Sequence, residues 1–293
     1  MKIKVSMGRR VFLVLNYTLS ILIALVCLLP LLNVLATSFS GKSAIIAGKV
    51  ILWPVDFTFI NYQYVADDIN FYRSFFVSVQ RTALALAIHM TLTTLAAYPL
   101  SLSQNKFHAR PFYVWYFMIA MLFNGGMIPS YMVVTKTGLL DTIWALVIPG
   151  AVPIFNVILM QNFMKSLPGE LAESAAIDGA GQLRTLWSII LPLCRVSLAT
   201  IALFVIVDNW NAWFDGMLYI DDMYKFPLQT YLRTVIVQID YSQVTDPNDI
   251  AKLVAQNGTN AAKIFIAMAP VLAVYPFLQK YFVKGITIGS VKE

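Results

Sequence analysis

The chain has 293 residues, of which 59% are hydrophobic and only 12% are charged, and its mean hydropathy is +0.71. Soluble domains carry about 25% charged residues, so this composition excludes an ordinary soluble fold and predicts an integral membrane protein. The net charge of +6 does not indicate nucleic-acid binding, because the basic residues are scattered over the ends of the apolar segments.

Six apolar segments follow one another along the chain, and each is long enough to cross a bilayer as a helix. The sequence therefore predicts an all-α integral membrane protein with about six transmembrane helices. The approximate ranges of these spans are 11–36, 75–102, 112–134, 142–164, 188–213 and 261–283, and the two long polar loops between them are 38–73 and 215–258.

Two of the predicted spans contain residues that interrupt helices. We expect a kink or break in the third at the Asn-Gly-Gly run of 124–126, because a glycine pair weakens a helix. We expect another in the fourth at Pro149 and Pro153, because proline lacks the N–H that a helix interior uses. The second polar loop is expected to contain a helix from 227 to 239.

The distribution of charge predicts the orientation of the spans. The N-terminal residues 1–10, the 103–110 link, the 165–195 region and the tail from 279 carry 12 of the 21 Lys and Arg but only four of the 15 acids. Because basic residues concentrate in cytoplasmic loops, we expect both termini and the 165–195 region in the cytoplasm and the two long loops outside.

Few ionisable or metal-binding residues occur inside the spans. Arg81 lies in the first turns of the second span, where snorkelling to the outer surface is preferred over contact with an anionic substrate. Asp208 is the only acid well inside a predicted span, which argues against an ion-coupled transporter or an intramembrane enzyme. Cys27 and Cys194 are expected to be small buried hydrophobes, and no metal site is expected.

The segment 168–187 is polar and amphipathic, although it lies between two apolar spans. Glu170 and Glu173 fall where a helix N-terminus favours negative charge, and Gly179 can adopt a backbone shape that most residues avoid. The pattern predicts a short helix, a tight corner and a second helix that leads into the fifth span. Acids on the polar face disfavour a helix lying on anionic headgroups, so we expect the segment to dock on a protein partner.

This segment also carries a resemblance to a known family. Glu173-Ser174-Ala175-Ala176-Ile177-Asp178-Gly179-Ala180, followed by Ile190-Leu191-Pro192, resembles the EAA loop of bacterial ABC importer permeases. The chain departs from that pattern at Ser174, where Ala is usual, and at Val196, where many relatives carry Pro. The likeness covers nearly the whole chain and is closest to the carbohydrate branch, similar to the second permease subunit of the maltose system. The 123–129 and 226–229 segments resemble the subgroup that imports larger oligosaccharides, including alginate.

The resemblance implies a type I ABC importer permease fold in the bacterial cytoplasmic membrane, with one transmembrane domain over 11–293 and a core at 70–283. It implies a homologous second permease, two ATP-binding subunits and an extracytoplasmic sugar-binding protein as partners. ATP and magnesium would bind the ATPase subunits, so no cofactor and no enzymatic activity are expected on this chain.

In the resembled family the bent element sits in a cleft of the ATPase, and Glu173 is expected to pair with a basic residue there. The tail from 285 to 292 is expected to reach toward the ATPase dimer interface. The residues that the resemblance assigns to ATPase coupling are Glu170, Glu173, Ser174, Ala175, Ala176, Asp178, Gly179, Ala180, Gly181 and Pro192.

Amide side chains beside tryptophans at the end of the fifth span suit sugar binding, although an interfacial aromatic belt explains them equally well. Polar residues of the third and fourth spans, including Gln161, could line a substrate path or join helices. A permease for peptides or amino acids shares the same coupling loop and stays an alternative. The candidates for a substrate path are Asn124, Tyr131, Asn156, Asn209, Trp210, Asn211 and Trp213.

Overall fold

The computed structural model describes residues 7–237, 256–274 and 276, and the regular elements in these residues are helices without any strand. This confirms the all-α prediction for the described part of the chain. The helices are α1 (Met7–Ser38), α2 (Lys42–Ile46), α3 (Ile60–Ala66), α4 (Ile69–Ser101), α5 (Arg110–Leu122), α6 (Met127–Lys136), α7 (Ile143–Val147), α8 (Ile154–Lys165), α9 (Glu170–Ile177), α10 (Gln182–Leu193), α11 (Arg195–Asn211), α12 (Phe214–Tyr219), α13 (Leu228–Val237) and α14 (256–274).

Helix length and hydropathy identify the membrane-spanning candidates. Among the described residues, α1 and α4 are each long and apolar enough to cross a bilayer. The pairs α5–α6 and α10–α11 also meet this criterion when each pair is taken together, although they are bent by 113° and 86°. By length and composition, this part of the chain contains two spans, or up to four if each bent pair is one span. The sixth predicted span, 261–283, lies partly outside the described residues, as does the end of the helix predicted at 227–239.

Both predicted helix breaks are confirmed. α5 ends at Leu122 and α6 begins at Met127, and Asn124 accepts a 2.8 Å hydrogen bond from the Gly126 N–H through its side chain. Gly126 has a φ of +89°, which glycine adopts readily because it has no Cβ. α7 and α8 are likewise separate helices, with Pro153 directly before the second of them.

The fifth predicted span, 188–213, is not one straight helix. The chain is helical on both sides of Cys194, but α10 and α11 meet there at 86°. A π-helical turn over Leu186–Ile190 and the proline at 192 precede the bend. Proline and π turns both disturb the regular ladder of helical hydrogen bonds, which explains a sharp change of direction at this place.

The described residues form two compact units, and the first contains residues 7–69, 235–237 and 256–268. Within the most apolar stretch of 18 residues in α1, only 6% of the residues are buried. Cys27 lies on this helix and is exposed, so the prediction that it is buried is wrong. The reason is that α1 packs little against the residues that the structure describes, which leaves its apolar side chains for lipid or for another protein.

Buried polar contacts stabilise residues 38–68 within this first unit. Asn61 donates from Nδ2 to the carbonyl oxygens of Ser38 and Ser40, at 3.0 Å each. Lys263 of α14 forms a 2.6 Å ion pair with Asp68, and only 8% of the lysine side chain is exposed. A charge at this depth requires a partner, and the sequence analysis did not single out either residue.

The second unit contains residues 70–234, 269–274 and 276, and its core surrounds α4. Ala85 and Ala97 of α4 are fully buried and share one hydrophobic cluster with Val157 of α8 and Ile201 of α11. Cys194 belongs to the same cluster, so its predicted burial is confirmed. Small residues on α4 allow the neighbouring helices to approach it closely, as is common between membrane helices.

Candidate coupling element and polar cavity

The bent element has the predicted order of helix, corner and helix. α9 carries Glu170 and Glu173 in its first turn, where unpaired N–H groups favour negative charge. The chain turns at Gly179, whose φ is +75°, and the Ala180 N–H donates to the Ala175 carbonyl across the corner at 2.9 Å. The corner is therefore set by local backbone geometry, and α10 follows directly after it.

Most of the element faces outward. Ala175 is buried and Ala180 is half-buried, whereas the other coupling candidates are exposed, namely Glu170, Glu173, Ser174, Ala176, Asp178, Gly179, Gly181 and Pro192. Ile177 is 87% exposed, and Leu183 and Trp187 add further apolar surface beside the acids. None of these three residues was assigned to ATPase coupling from the sequence, although large apolar side chains in a polar segment are typical of a surface that a partner covers.

One acid of the element has a partner within the chain. Lys106, from the link after α4, contacts Glu173 at 3.2 Å, and 47% and 63% of the two side chains are exposed. The expected pairing of Glu173 with a basic residue of an ATPase stays a prediction. Within this chain the Glu173 carboxylate contacts Lys106, and both side chains of the pair are open to water.

The end of α4 contacts both the bent element and α8. The Tyr98 hydroxyl donates to Gln182 Oε1 at 2.8 Å, although 84 residues separate the two in sequence. The Leu100 carbonyl accepts from Gln161 Nε2 at 3.1 Å and from Arg110 Nε at 2.9 Å. Gln161 thus joins two helices, which was one of its two predicted roles, and the sequence analysis did not identify Tyr98.

A partly open cavity of about 350 Å³, lined by apolar and polar residues and called the polar cavity below, lies in the second unit. Two of the predicted substrate-path residues, Asn156 of α8 and Asn209 of α11, are brought together in its wall. Asn209 also donates to the Val205 carbonyl of its own helix at 2.9 Å. The ionisable and aromatic side chains of the wall, none of which was assigned to a path beforehand, are Arg81, His89, Asp208, Asp215 and Tyr219.

The other path candidates have different surroundings. Trp210 is buried, with its ring edge-to-face against Phe75 at a centroid distance of 5.6 Å. The Trp213 ring is covered by the Arg233 guanidinium at 3.9 Å. Of the remaining three, Tyr131 stacks on Tyr219 beside the cavity, Asn124 caps the break between α5 and α6, and Asn211 donates to the Val207 carbonyl of its own helix.

Arg81 does not snorkel to a surface, so that prediction is wrong. Its side chain is 3% exposed and forms a two-pronged ion pair with Asp215, in which Nη1 donates to Oδ1 at 3.1 Å. A carboxylate matches the fork of a guanidinium and offsets the cost of removing its charge from water. The sequence gives no local sign of this pairing, because 134 residues separate the two and Asp215 falls at the start of the predicted polar loop 215–258.

The bent element and the polar cavity occur in a chain whose residues 105–288 match the family model described as a binding-protein-dependent transport system inner membrane component. The chain belongs to this family. The predicted resemblance to ABC importer permeases is thereby confirmed, and the permease is a transport component rather than an enzyme.

Individual relatives match the permease over nearly its full length. Protein LplC of Bacillus subtilis is 41% identical over 97% of this chain and 95% of its own. The polygalacturonan/rhamnogalacturonan transport system permease protein YtcP of the same organism is 38% identical, over 98% of this chain and 100% of its own. A solved structure of a bacterial ABC transporter involved in the import of the acidic polysaccharide alginate matches with a TM-score of 0.86 and 31% identity, over 96% of this chain and 100% of that chain.

A further ion pair of the permease joins two turns outside the predicted spans. Asp141 has a φ of +58°, and its carboxylate accepts from the N–H groups of Asp221 and Asp222 and pairs with Lys225. The hydrogen bond from Lys225 holds the pKa of Asp141 below its ordinary value. The Asp141 N–H donates to the Tyr219 carbonyl at 2.9 Å, so the turn before α7 is bonded to the last residue of α12.

Proposed function

We propose that the chain is the transmembrane permease subunit of an ATP-driven importer that moves acidic oligosaccharides from an extracytoplasmic binding protein into the cytoplasm. The observation that carries this proposal is the full-length similarity to proteins whose names refer to acidic polysaccharides. Alginate is described as acidic, and polygalacturonan is a polymer of a sugar acid, so both carry carboxylates. A permease for peptides or amino acids receives no support from these relatives.

The permease works in the bacterial inner membrane with about six spans and with both termini in the cytoplasm. The bias of basic residues supports this orientation, and the two bent helix pairs support a count above that of the two continuous helices. A second permease, two ATPase subunits and a binding protein complete the transporter, and ATP and magnesium bind the ATPase subunits.

Transport follows alternating access, in which the same path opens first to one side and then to the other. Closure of the ATPase dimer moves the clefts that hold the exposed face of α9, and the bent element carries this movement to the spans. Asn156 and Asn209 supply amide groups to the substrate path, because amides can both donate to and accept from sugar hydroxyls.

Substrate specificity can be tested in proteoliposomes that contain the four membrane-associated subunits together with the binding protein. Acidic oligosaccharides, such as oligogalacturonates and alginate oligomers, are expected to stimulate ATP hydrolysis and to accumulate inside. A neutral oligosaccharide of equal length serves as the control. Stimulation by the neutral sugar alone would remove the acidic assignment, and stimulation by peptides alone would remove the sugar assignment.

The role of the bent element can be tested with Glu173→Lys. The reversed charge should abolish substrate-stimulated ATP hydrolysis while the subunit remains inserted in the membrane and assembled. Asp67→Asn, a change at an exposed acid of the 38–73 loop, is the matched control and should leave turnover unchanged. Normal stimulated turnover in Glu173→Lys would show that this face does not couple to the ATPase.

A further inference from the structure

We propose that Tyr98 is a positioning residue that transmits the movement of the bent element to α4, and through α4 to the Arg81–Asp215 pair at the polar cavity. The inference deepens the proposed function and rests on it. It rests on hydrogen bonds and an ion pair that side chains of α4 form at two levels of the helix, and α4 is one continuous helix of 33 residues.

At one level, Tyr98 joins α4 to the first residue of α10. Its hydroxyl donates to Gln182 Oε1 at 2.8 Å, and Gln182 begins α10 directly after the corner of the bent element. The tyrosine side chain is 8% exposed and shares the hydrophobic cluster with Leu186 and Ile190 of α10. The ring is therefore held by packing, and the hydroxyl adds one directional bond to the segment that a partner would push.

At the other level, α4 is bonded to the residues that follow α11. Arg81 pairs with Asp215 and donates to the Ala212 carbonyl at 3.4 Å. One turn earlier, the Ser78 hydroxyl oxygen accepts from the Leu228 N–H at 2.7 Å. A displacement of α4 along its axis would strain these bonds and would change the wall of the polar cavity, to which Arg81, His89 and Asp215 all belong.

The helix between the two levels is suited to carry such a displacement. From Arg81 to Tyr98 it contains neither glycine nor proline, and it is α-helical throughout. At about 1.5 Å per residue this part is about 25 Å long, which is close to the thickness of the hydrocarbon core of a bilayer. Regular helices of this kind move as rigid elements, and rigid elements together with hydrogen-bond networks can carry coupling between distant sites.

The proposal can be tested with Tyr98→Phe in the complete transporter, because this change removes the hydroxyl and keeps the ring. Substrate-stimulated ATP hydrolysis and uptake should fall about fivefold, the loss expected for a weak coupling interaction. The KM for the oligosaccharide and the basal rate of hydrolysis should stay unchanged. Tyr116→Phe, at an exposed tyrosine of α5, is the matched control and should behave as the wild type.

A double-mutant cycle separates the bond from a general effect on packing. Gln182→Leu should reproduce the loss of substrate-stimulated ATP hydrolysis, and the double variant should be no worse than either single variant. Gln182→Glu keeps an oxygen that can accept from Tyr98, so it should retain most of the stimulated rate. Wild-type stimulation in Tyr98→Phe, or fully additive losses in the double variant, would overturn the role of Tyr98 and leave the proposed function standing. A wild-type transporter that no acidic sugar stimulates would overturn the proposed function, and this inference with it.

Discussion

The Arg81–Asp215 pair and the Lys106–Glu173 pair both join a base to a carboxylate of the second unit, but they differ in exposure. In the first pair 3% and 27% of the two side chains are exposed, and in the second 47% and 63%. The first pair has further bonds to backbone groups, since Arg81 also contacts the Ala212 carbonyl and Asp215 accepts from the Gly216 N–H. The second pair consists of a single contact at 3.2 Å.

The two ion pairs have similar chemistry, but their different exposure gives them different roles. A charge that is buried without its partner costs several kcal/mol, so Arg81 and Asp215 are parts of the structure that must be kept or replaced together. A pair in water contributes little, because each charge is solvated almost as well alone. Glu173 can therefore exchange Lys106 for a base on another protein at small cost, which a coupling contact requires.

Removal of one partner of the buried pair should have the largest effect. Asp215→Ala leaves the Arg81 guanidinium in a site that is 3% exposed, and we expect a destabilisation of about 3–5 kcal/mol. Thermal unfolding of the purified subunit in detergent, followed by circular dichroism, measures the loss.

Simultaneous replacement of both charges is the control for this prediction. The double change Arg81→Met with Asp215→Leu removes both charges and retains apolar volume, so it should recover most of the lost stability. If Asp215→Ala alone is as stable as the wild type, or if the double variant is the less stable of the two, the guanidinium is solvated and the burial argument is wrong.

The pair of intermediate exposure should give an intermediate effect. Asp141→Asn keeps a residue type that tolerates positive φ, and it removes the charge that pairs with Lys225 and accepts from two backbone N–H groups. We expect a loss of about 1 kcal/mol at neutral pH, the net value of an ordinary hydrogen bond, because water reaches both side chains and weakens the contribution of the charges. Asp67→Asn, at an exposed acid, should change stability by less.

The same pair predicts a dependence on pH with a definite sign. The hydrogen bond from Lys225 lowers the pKa of Asp141 in the folded state, so the folded carboxyl binds its proton less readily than the unfolded one. The stabilisation is therefore complete above the ordinary pKa of about 4 and is lost as the pH falls through the lower folded value. Unfolding temperatures of the wild type and Asp141→Asn should converge as the pH falls from 7 to 3, and a constant difference would contradict the assignment.

The sequence predicted the features that depend on neighbouring residues. The breaks near Asn124 and Pro153 and the corner at Gly179 follow from the backbone preferences of those residues, and the structure has all three. The bend at Cys194 was missed because residues 188–213 were interpreted as one uninterrupted span, although a proline such as Pro192 can end a straight segment.

Contacts between distant residues could not be predicted in this way. Tyr98 meets Gln182 across 84 positions and Arg81 meets Asp215 across 134, and a hydropathy pattern carries no information on which spans are neighbours. Cys27 was expected to be buried because its surroundings are apolar. In a membrane protein an apolar side chain can also lie on the surface, in contact with lipid. Hydrophobicity alone therefore does not distinguish a core residue from a residue that faces the bilayer.

Removal of one charge of the exposed Lys106–Glu173 pair should have the smallest effect on stability, and this expectation can be tested directly. Lys106→Gln should change the unfolding free energy by less than about 1 kcal/mol, and the difference should disappear at high salt, because both side chains are open to water. Lys136→Gln, at the last residue of α6, is a control that changes a lysine in the same unit. A loss comparable to that of Asp215→Ala would mean that the Lys106–Glu173 contact is part of the folded structure, and Glu173 would then not be free to exchange partners when the ATPase docks.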